Sequence, residues 1–238
     1  MKLIMVIPAR MASTRFPGKP LVDLGGKPMI QWVYEAALAS QVGQQVLIAT
    51  PDPEIIEASR KFGGEAVLTR NDHPSGTDRI AEVSERCEAD FYINVQGDEP
   101  LIQTSTIRAC ALALEEPGVQ MSSVWTECPD AEIDSPSTVK VVCTRAGDAL
   151  YFSRYPIPFA RNEHPMGVRK HVGIYGYSSE VLRRFKHWPI GDLEQAESLE
   201  QLRFLENGVR IRMAKGDATQ GVDTPEQALQ VASFLAQR

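Results

Sequence analysis

Three cations lie in one short segment directly after an apolar run near the N-terminus. Arg10, Arg15 and Lys19 fall within ten positions of one another, and the segment also contains small residues and Gly18. Small residues let backbone N–H groups approach an anion closely. Arginine offers several planar donors to phosphate, and lysine offers a mobile point charge. From the residues alone, the segment fits a phosphate-binding loop and a solvated surface loop equally well.

The segment does not match the two best-known phosphate motifs. The Walker spacing of Gly-x-x-x-x-Gly-Lys-Ser/Thr is absent, and so is the dinucleotide pattern Gly-x-Gly-x-x-Gly. If the segment binds phosphate, it therefore belongs to another class of site.

Two carboxylates, far apart in sequence, are candidates for holding Mg²⁺. Asp98 follows an apolar run, and Asp223 stands just before the start of the last predicted helix. Mg²⁺ prefers hard oxygen ligands and is often held by one or two carboxylates together with substrate phosphates. Asp98 also has an ordinary structural interpretation as a turn residue before Pro100. The capping box of Thr224 with Gln227 explains the start of the helix, but not Asp223, which lies outside it. The residues alone leave both interpretations open.

Alternating strands and helices in the first half must position these side chains. We predict strands over residues 3–8, 46–50, about 65–68 and 91–95, and helices over residues 29–40, 53–62, about 77–87 and about 104–115. This alternation predicts a parallel sheet with covering helices and right-handed crossovers. Ligands of such sheets collect beyond the carboxyl ends of the strands. The cationic segment and Asp98 both follow strands at that edge.

The second half has a more mixed pattern. We predict strands over residues 121–126, 139–143, 172–177 and about 209–213, a loop over 154–170, and helices over 194–206 and from Pro225 onward. The length of 238 residues suits one α/β domain. We predict a main nucleotide-binding sheet with a small inserted substrate lobe around residues 125–190.

Composition excludes several function classes. The net charge is −6 and no dense basic run is present, so a nucleic-acid partner is not expected. No apolar run approaches the roughly 20 residues of a membrane span. The four cysteines lack metal-binding spacing, which is typical of buried free thiols in a reducing compartment. We therefore expect a cytoplasmic protein without a membrane partner.

Nine segments spread over nearly the whole chain resemble one known family. They are Ile7–Arg10, Ser13–Leu21, Gly26–Ile30, Ser75–Arg79, Asn94–Pro100, Ala149–Arg154, His171–Tyr177, Leu199–Arg203 and Gly221–Glu226. In this order they resemble the 3-deoxy-manno-octulosonate cytidylyltransferases, also called CMP-Kdo synthetases. The resemblance implies a glycosyltransferase-like α/β fold with a mainly parallel central sheet, flanking helices, and a lobe for substrate binding and dimerisation. It further implies a homodimer, Mg²⁺ as cofactor, CTP and the sugar acid Kdo as substrates, and a role in lipopolysaccharide synthesis.

The resemblance also implies roles for individual residues. The metal ligands would be Asp98 and Asp223, and the catalytic residues would be these two with Arg10 and Lys19. The nucleotide-binding residues would be Pro8, Ala9, Arg10, Ser13, Arg15, Lys19, Ser75, Gly76 and Gln96. The sugar-binding residues would be Arg79, Gln96, Arg154, His171, Tyr175, Glu197, Glu200 and Gln201. Arg79 and Arg154 are candidates for the sugar carboxylate. Spacing in the predicted helix 194–206 would place Glu194, Glu197 and Gln201 on one helical face.

Other functions remain to be distinguished. A cytidylyltransferase for another sugar acid is a close alternative, above all one for the 8-amino analogue of Kdo. Sialic acid enzymes have a first loop richer in glycine and lysine. A glycosyltransferase usually shows Asp-x-Asp, which the segment Gln96–Glu99 lacks. A non-catalytic nucleotide-binding module would bind CTP without consuming it.

Overall fold

The computed structural model describes residues 2–13, 15–162 and 167–236. Thr14 in the cationic segment, and four residues of the loop predicted over 154–170, lie outside the described residues. Contacts divide the chain into two compact units, one formed by Met1–Arg108 with Thr219–Arg238 and the other by Ala109–Ala218. The inserted lobe that we predicted around 125–190 falls within the second unit.

The first unit contains a parallel sheet. Its strands are β1 (Leu3–Pro8), β2 (Gln45–Thr50), β3 (Ala66–Leu68) and β4 (Phe91–Val95). They lie in the order β3-β2-β1-β4, and all three pairings are parallel. The apolar side chains of β1 are almost completely buried, as expected for a strand covered on both faces. This part of the α/β prediction is confirmed.

Three helices connect these strands and pack against the sheet, namely α1 (Met29–Ser40), α2 (Pro53–Lys61) and α3 (Gly76–Arg86). A fourth helix, α4 (Thr104–Leu114), follows β4 and continues into the second unit. Local sequence explains their ends. Pro53 occupies the first turn of α2, and Gly63 follows it with a φ of 76°, a value that glycine adopts without strain. At α3, Ser75 caps the helix by accepting a hydrogen bond from the Asp78 N–H.

The last helix returns to the first unit. Helix α8 (Pro225–Leu235) begins with the predicted capping box between Thr224 and Gln227. Its apolar face joins a buried cluster that includes Leu24, Met29 and Val222. Burial of this face fixes the chain just before α8 against the rest of the unit.

The second unit has mixed strand directions. Its strands are β5 (Met121–Glu127), β6 (Lys140–Cys143), β7 (Ala149–Ser153), β8 (Arg169–Ser178) and β9 (Ile211–Lys215). Strand β5 pairs in parallel with β9 and antiparallel with β8, while β6 pairs antiparallel with β7 and β8. Strand β7 was absent from our prediction, and β8 begins within the predicted 154–170 loop.

The helices of the second unit differ most from the prediction. They are α5 (Ser179–Phe185), which was not predicted, α6 (Asp192–Glu197) and α7 (Gln201–Glu206). The single helix predicted over 194–206 is wrong, because Ser198 adopts a left-handed φ of 52° and ends α6. Glu194 and Glu197 therefore lie on α6 and Gln201 on α7, so the shared helical face does not exist. None of the helices within the described ranges is both long and apolar enough to cross a membrane.

Candidate active site

A cavity of about 760 Å³ opens beside the carboxyl ends of β1 and β4. All of the residues that line it belong to the first unit. They include every nucleotide-binding candidate from the sequence, namely Pro8, Ala9, Arg10, Ser13, Arg15, Lys19, Ser75, Gly76 and Gln96. Four cations, Arg10, Arg15, Lys19 and Arg79, share the wall with two carboxylates, Asp98 and Asp223. This balance favours a polyanionic ligand, although the individual binding roles stay predictions.

The cationic loop after β1 is held by hydrogen bonds at both ends. At its start, the Ala9 N–H donates to the Ala49 carbonyl at 3.0 Å, and the Met11 N–H donates to Asp52 Oδ2 at 2.6 Å. At its end, Gly18 turns the chain with a φ of 73° and its N–H donates to the Met11 carbonyl. Both ends of the loop are thus fixed in position.

Gly97 lets two strand ends approach each other. A Cβ atom on Gly97 would lie 2.8 Å from the carbonyl oxygen of Pro8, closer than real Cβ contacts. Because that neighbour is backbone, it has little freedom to move aside. A side chain here would push Asp98 away from the cationic loop.

The two carboxylates meet at one ammonium group. Lys19 Nζ donates to Asp98 Oδ2 at 2.8 Å and to Asp223 Oδ1 at 3.1 Å. Arg15 also donates to Asp223 Oδ1, at 3.1 Å. Asp98 Oδ2 and Asp223 Oδ1 therefore lie no further apart than the sum of their distances from Lys19 Nζ. The structure brings together the four residues predicted to be catalytic, since Arg10 lines the same cavity.

Backbone contacts fix Asp223 in this place. The neighbouring Val222 is fully buried, and its N–H donates to the Asp98 carbonyl at 2.9 Å. Gln227 Oε1 accepts from the N–H groups of Asp223 at 2.7 Å and Thr224 at 3.1 Å. The capping box thus does more than start α8, because it also holds the backbone of a site carboxylate.

This donor set fits Mg²⁺ bound together with phosphates. In the described residues, no cluster of three or more His, Cys, Asp or Glu side chains is suited to holding a metal by itself. Two hard carboxylate oxygens suit Mg²⁺, which commonly takes its other ligands from substrate phosphate and water. Burial by itself lowers the pKa of Lys19, but Asp98 and Asp223 together raise it above its ordinary value. A cation is thus strongly favoured between these carboxylates.

The first turn of α3 and the residues just before it form a second wall of the cavity. His73, Pro74, Ser75, Gly76 and Arg79 all line it. The buried guanidinium of Arg79 donates through Nη1 to Thr69 Oγ1 and to the Arg70 carbonyl. Burial and the nearby charge of Arg10 lower the pKa of Arg79. Arg79, a candidate for the sugar carboxylate, therefore lies in the wall of the cavity that contains the nucleotide candidates.

The remaining sugar-binding candidates lie in the second unit. Tyr175 donates its hydroxyl to Gln201 Oε1 at 3.2 Å, and the ring of His171 lies 5.3 Å from that of Tyr175. Ser123 Oγ donates to the Ile174 carbonyl, so it must accept from His171 Nε2 at 2.8 Å. Burial lowers the pKa of His171 to about 3. His171 is thus a neutral imidazole with its proton on Nε2.

Two atoms in this group are suited to a ligand. The Nε2 atom of Gln201 is buried and has no hydrogen-bond partner among the described residues. Burial, followed by the negative charge of Glu200, raises the pKa of Tyr175, which keeps its hydroxyl protonated. A buried donor without a partner is costly, and a sugar hydroxyl would satisfy it.

Arg154 and Glu197 already make hydrogen bonds within their own unit. Arg154 donates to the carbonyls of Pro136, Glu197 and Ser198. Glu197 accepts from Ser153 Oγ at 2.6 Å and from the Arg154 N–H at 2.9 Å. Their predicted contacts with the sugar stay predictions, and the structure gives both residues a role in holding the end of β7.

Sequence reasoning missed several residues of the site. Among them, His73 and Pro74 line the cavity, and Asp52 anchors the cationic loop through the Met11 N–H. The only signal for His73 was its position two residues before Ser75. Asp52 reads as an ordinary helix N-cap, yet its side chain makes no capping bond.

Known proteins resemble this chain over its whole length. The cytidylyltransferase family matches residues 4–211. The chain is 48% identical over 238 residues to 3-deoxy-manno-octulosonate cytidylyltransferase of Escherichia coli, covering 99% of this chain and 97% of the relative. It is 45% identical over 240 residues to the protein of the same name in Acidobacterium capsulatum, covering 100% and 98%.

Two solved structures are also similar to this chain. A CMP:2-keto-3-deoxy-manno-octonic acid synthetase complexed with CTP superposes with a TM-score of 0.96 at 48% identity, covering 100% of this chain and 99% of that one. A cytidylyltransferase from Leptospira borgpetersenii, at 16% identity and a TM-score of 0.66, shares the fold, covering 100% of this chain and 88% of that one.

Proposed function

The chain belongs to the cytidylyltransferase family, and we propose that it makes CMP-Kdo and pyrophosphate from CTP and 3-deoxy-manno-octulosonate (Kdo). It is a nucleotidyltransferase of the α/β class. The product is an activated sugar acid for lipopolysaccharide synthesis. One observation carries this proposal above the others: a chain of the same fold, 48% identical over its whole length, is a CMP-Kdo synthetase complexed with CTP.

The charge of the first-unit cavity supports CTP as the nucleotide. Its wall carries four cations and two carboxylates, so it suits a triphosphate accompanied by a divalent cation. In the proposed reaction, the anomeric hydroxyl of Kdo attacks the α-phosphorus of CTP and pyrophosphate leaves. Positioning and charge stabilisation dominate transfers of this kind. Arg15 and Lys19 would stabilise the charge that builds on the leaving pyrophosphate.

We propose Mg²⁺ as the cofactor, held by Asp98 and Asp223. When bound, it would polarise the α-phosphate and orient the triphosphate. Lys19 now donates to both carboxylates, so it would have to turn toward the triphosphate when a metal takes its place. The close approach of Gly97 to the Pro8 carbonyl and the bond from the Val222 N–H to the Asp98 carbonyl hold the backbone at the two carboxylates, which supports this proposal.

We propose that the second-unit residues His171, Tyr175 and Gln201 contribute to binding of the sugar. Tyr175 and Gln201 carry hydroxyl and amide groups, and Gln201 Nε2 has no hydrogen-bond partner among the described residues. Glu200 would accept from a sugar hydroxyl. Gln96 lines the first-unit cavity and would contact either substrate.

We also propose that the protein is a cytoplasmic homodimer. Its four cysteines are free thiols, as is usual in a reducing compartment. Within the described residues β7 forms a ladder with β6 alone, and Leu150, Tyr155 and Phe159 nearby are strongly exposed. Exposed apolar side chains beside a free strand edge favour contact with a second copy. Sedimentation of the wild type beside a Phe159→Asp variant tests this assembly.

The experiment that tests the function is pyrophosphate release from CTP and Mg²⁺ with four acceptors in parallel. The acceptors are Kdo, its 8-amino analogue, sialic acid and no sugar. Release that depends on Kdo is expected. Release only with another acid would contradict Kdo as the substrate, and CTP binding without release for any acid would instead indicate a nucleotide-binding module.

A further inference from the structure

One face of α3 holds the loop between β3 and α3. Arg79, Glu82 and Arg86 are three and four residues apart, so they share a helical face. Arg86 donates to the Leu68 carbonyl at 2.8 Å, and Arg79 donates to the Arg70 carbonyl at 2.9 Å. The loop is therefore fastened to the helix that follows it by side chains of this face.

Glu82 is the centre of these contacts. Its side chain is only 6% exposed. Oε2 accepts from the Arg70 N–H at 3.0 Å and contacts His73 Nε2, while Oε1 accepts from Arg86. Burial by itself raises the pKa of Glu82, but the hydrogen bonds of His73 and Arg70 and the charge of Arg86 hold it below its ordinary value. Glu82 is therefore a buried carboxylate that stays ionised.

The negative charge of Glu82 determines which ring nitrogen of His73 carries the proton. Because the ionised carboxylate only accepts hydrogen bonds, the proton on the His73 ring must lie on Nε2. The His73 side chain is 4% exposed, so its orientation depends on this one contact and on packing. Glu82 thus determines both the orientation and the tautomer of a buried ring.

Two of the residues held in this way belong to the cavity wall. His73 and Arg79 line the cavity, whereas Glu82 does not. Glu82 accepts a hydrogen bond from the Arg70 N–H, and Arg79 donates one to the carbonyl of the same residue. Loss of the Glu82 charge would release Arg70 and His73 together, and Arg79 would lose a fixed support for its guanidinium.

We propose that Glu82 is a positioning residue for the nucleotide, acting through His73 and Arg79 from behind the cavity wall. This inference rests on the proposed function, because it takes CTP as the occupant of the cavity. Glu82 touches no substrate. Its effect should therefore appear in nucleotide affinity rather than in the chemical step.

The test compares Glu82→Gln with Glu85→Gln, which removes the same charge from an exposed position on the same helix. We expect Glu82→Gln to raise the KM for CTP about tenfold, because hydrogen bonds to a charged group are lost. The kcat at saturating CTP should change less than about threefold. Glu85→Gln should match the wild type. A lower melting temperature with an unchanged KM for CTP would overturn the proposal.

Two variants of His73 keep the test decisive if Glu82→Gln does not fold. His73→Gln retains an N–H donor for Glu82, whereas His73→Leu removes it. We expect His73→Gln to restore most of the CTP affinity that His73→Leu loses. Equal CTP affinity in these two variants would contradict the proposal.

Calorimetric titration with CTP in the absence of sugar separates this inference from the proposed function. Absence of CTP binding by the wild type would refute the function itself. Normal binding by the wild type and equal binding by Glu82→Gln would refute only the positioning role. Normal binding by the wild type and weaker binding by Glu82→Gln is the result that we expect.

Discussion

Replacing Lys19 by methionine should change metal and nucleotide binding in opposite directions. Lys19 Nζ lies 2.8 Å from Asp98 and 3.1 Å from Asp223, so a metal ion competes with it for both carboxylates. Lys19→Met removes that competitor and leaves the two negative charges with Arg15 as their remaining ion-pair partner at Asp223. We therefore expect a metal to bind more tightly in the absence of nucleotide, and CTP to bind more weakly.

The structure sets the size of both effects. The carboxylates of Asp98 and Asp223 are 37% and 45% exposed, so solvent screens the two ion pairs and each contributes at most about 1 kcal/mol. A combined change of about 1 kcal/mol corresponds to about fivefold tighter metal binding. Loss of a charged donor to the triphosphate costs about 1.5–3 kcal/mol, which weakens CTP binding by a factor of at least about ten.

Electron paramagnetic resonance of Mn²⁺ measures the first effect, and calorimetry with CTP but no sugar measures the second. Lys61→Met is the matched control, because Lys61 forms an exposed ion pair with Glu57 on α2. That variant removes the same charge without touching the cavity. If Lys19→Met binds Mn²⁺ no more tightly than Lys61→Met does, the competition inferred from the structure is wrong.

Three further predictions follow from the same geometry. Asp98→Asn should keep the fold by circular dichroism and lose most activity, and an unchanged rate at saturating Mg²⁺ would rule out its role. Gly97→Ala should lower the free energy of unfolding by about 1–3 kcal/mol in urea titrations, because its Cβ would meet the Pro8 carbonyl at 2.8 Å; equal stability would contradict that clash. His171 is buried with a pKa of about 3, so unfolding exposes a group that binds a proton below its unfolded pKa of about 6.5. The contribution of His171 to the free energy of unfolding should therefore fall by about 2 kcal/mol between pH 7 and pH 5. A His171→Asn variant whose stability has the same pH dependence as the wild type would refute the lowered pKa of His171.

The parallel half of the fold was predictable from local signals. Continuous apolar runs mark β1, β2 and β4, and glycine, proline or a capping residue marks most helix ends. These signals depend on a few neighbouring residues, so the sequence displays them directly. Bounds in this half agree with the prediction to within one or two residues.

The second half was less predictable, because tertiary contacts determine it. Ser198 breaks the predicted helix, although serine has no strong preference for a left-handed φ. A buried ion pair joins Glu194 on α6 to Arg203 on α7 at 2.5 Å, and Arg154 donates to the Ser198 carbonyl. Contacts between distant residues thus stabilise a break that local sequence does not indicate.

The site shows the same division. The cationic loop and Asp98 were placed at one sheet edge by topology alone, because both follow strands that proved to be adjacent. Asp223 required the family resemblance, since its position depends on the bond from the Val222 N–H to the Asp98 carbonyl. No sequence pattern indicated the role proposed for Glu82, because that role depends on contacts with a loop that folds back onto α3.

The proposed function requires attack by the anomeric oxygen of Kdo on the α-phosphorus of CTP. Kdo labelled with ¹⁸O at the anomeric hydroxyl tests this attack, with the product followed by ³¹P NMR and mass spectrometry. We expect CMP-Kdo that carries the label in the oxygen bridging carbon and phosphorus, and unlabelled pyrophosphate. A CMP-sugar without the label in the bridge, or CMP released without a sugar attached, would rule out this attack.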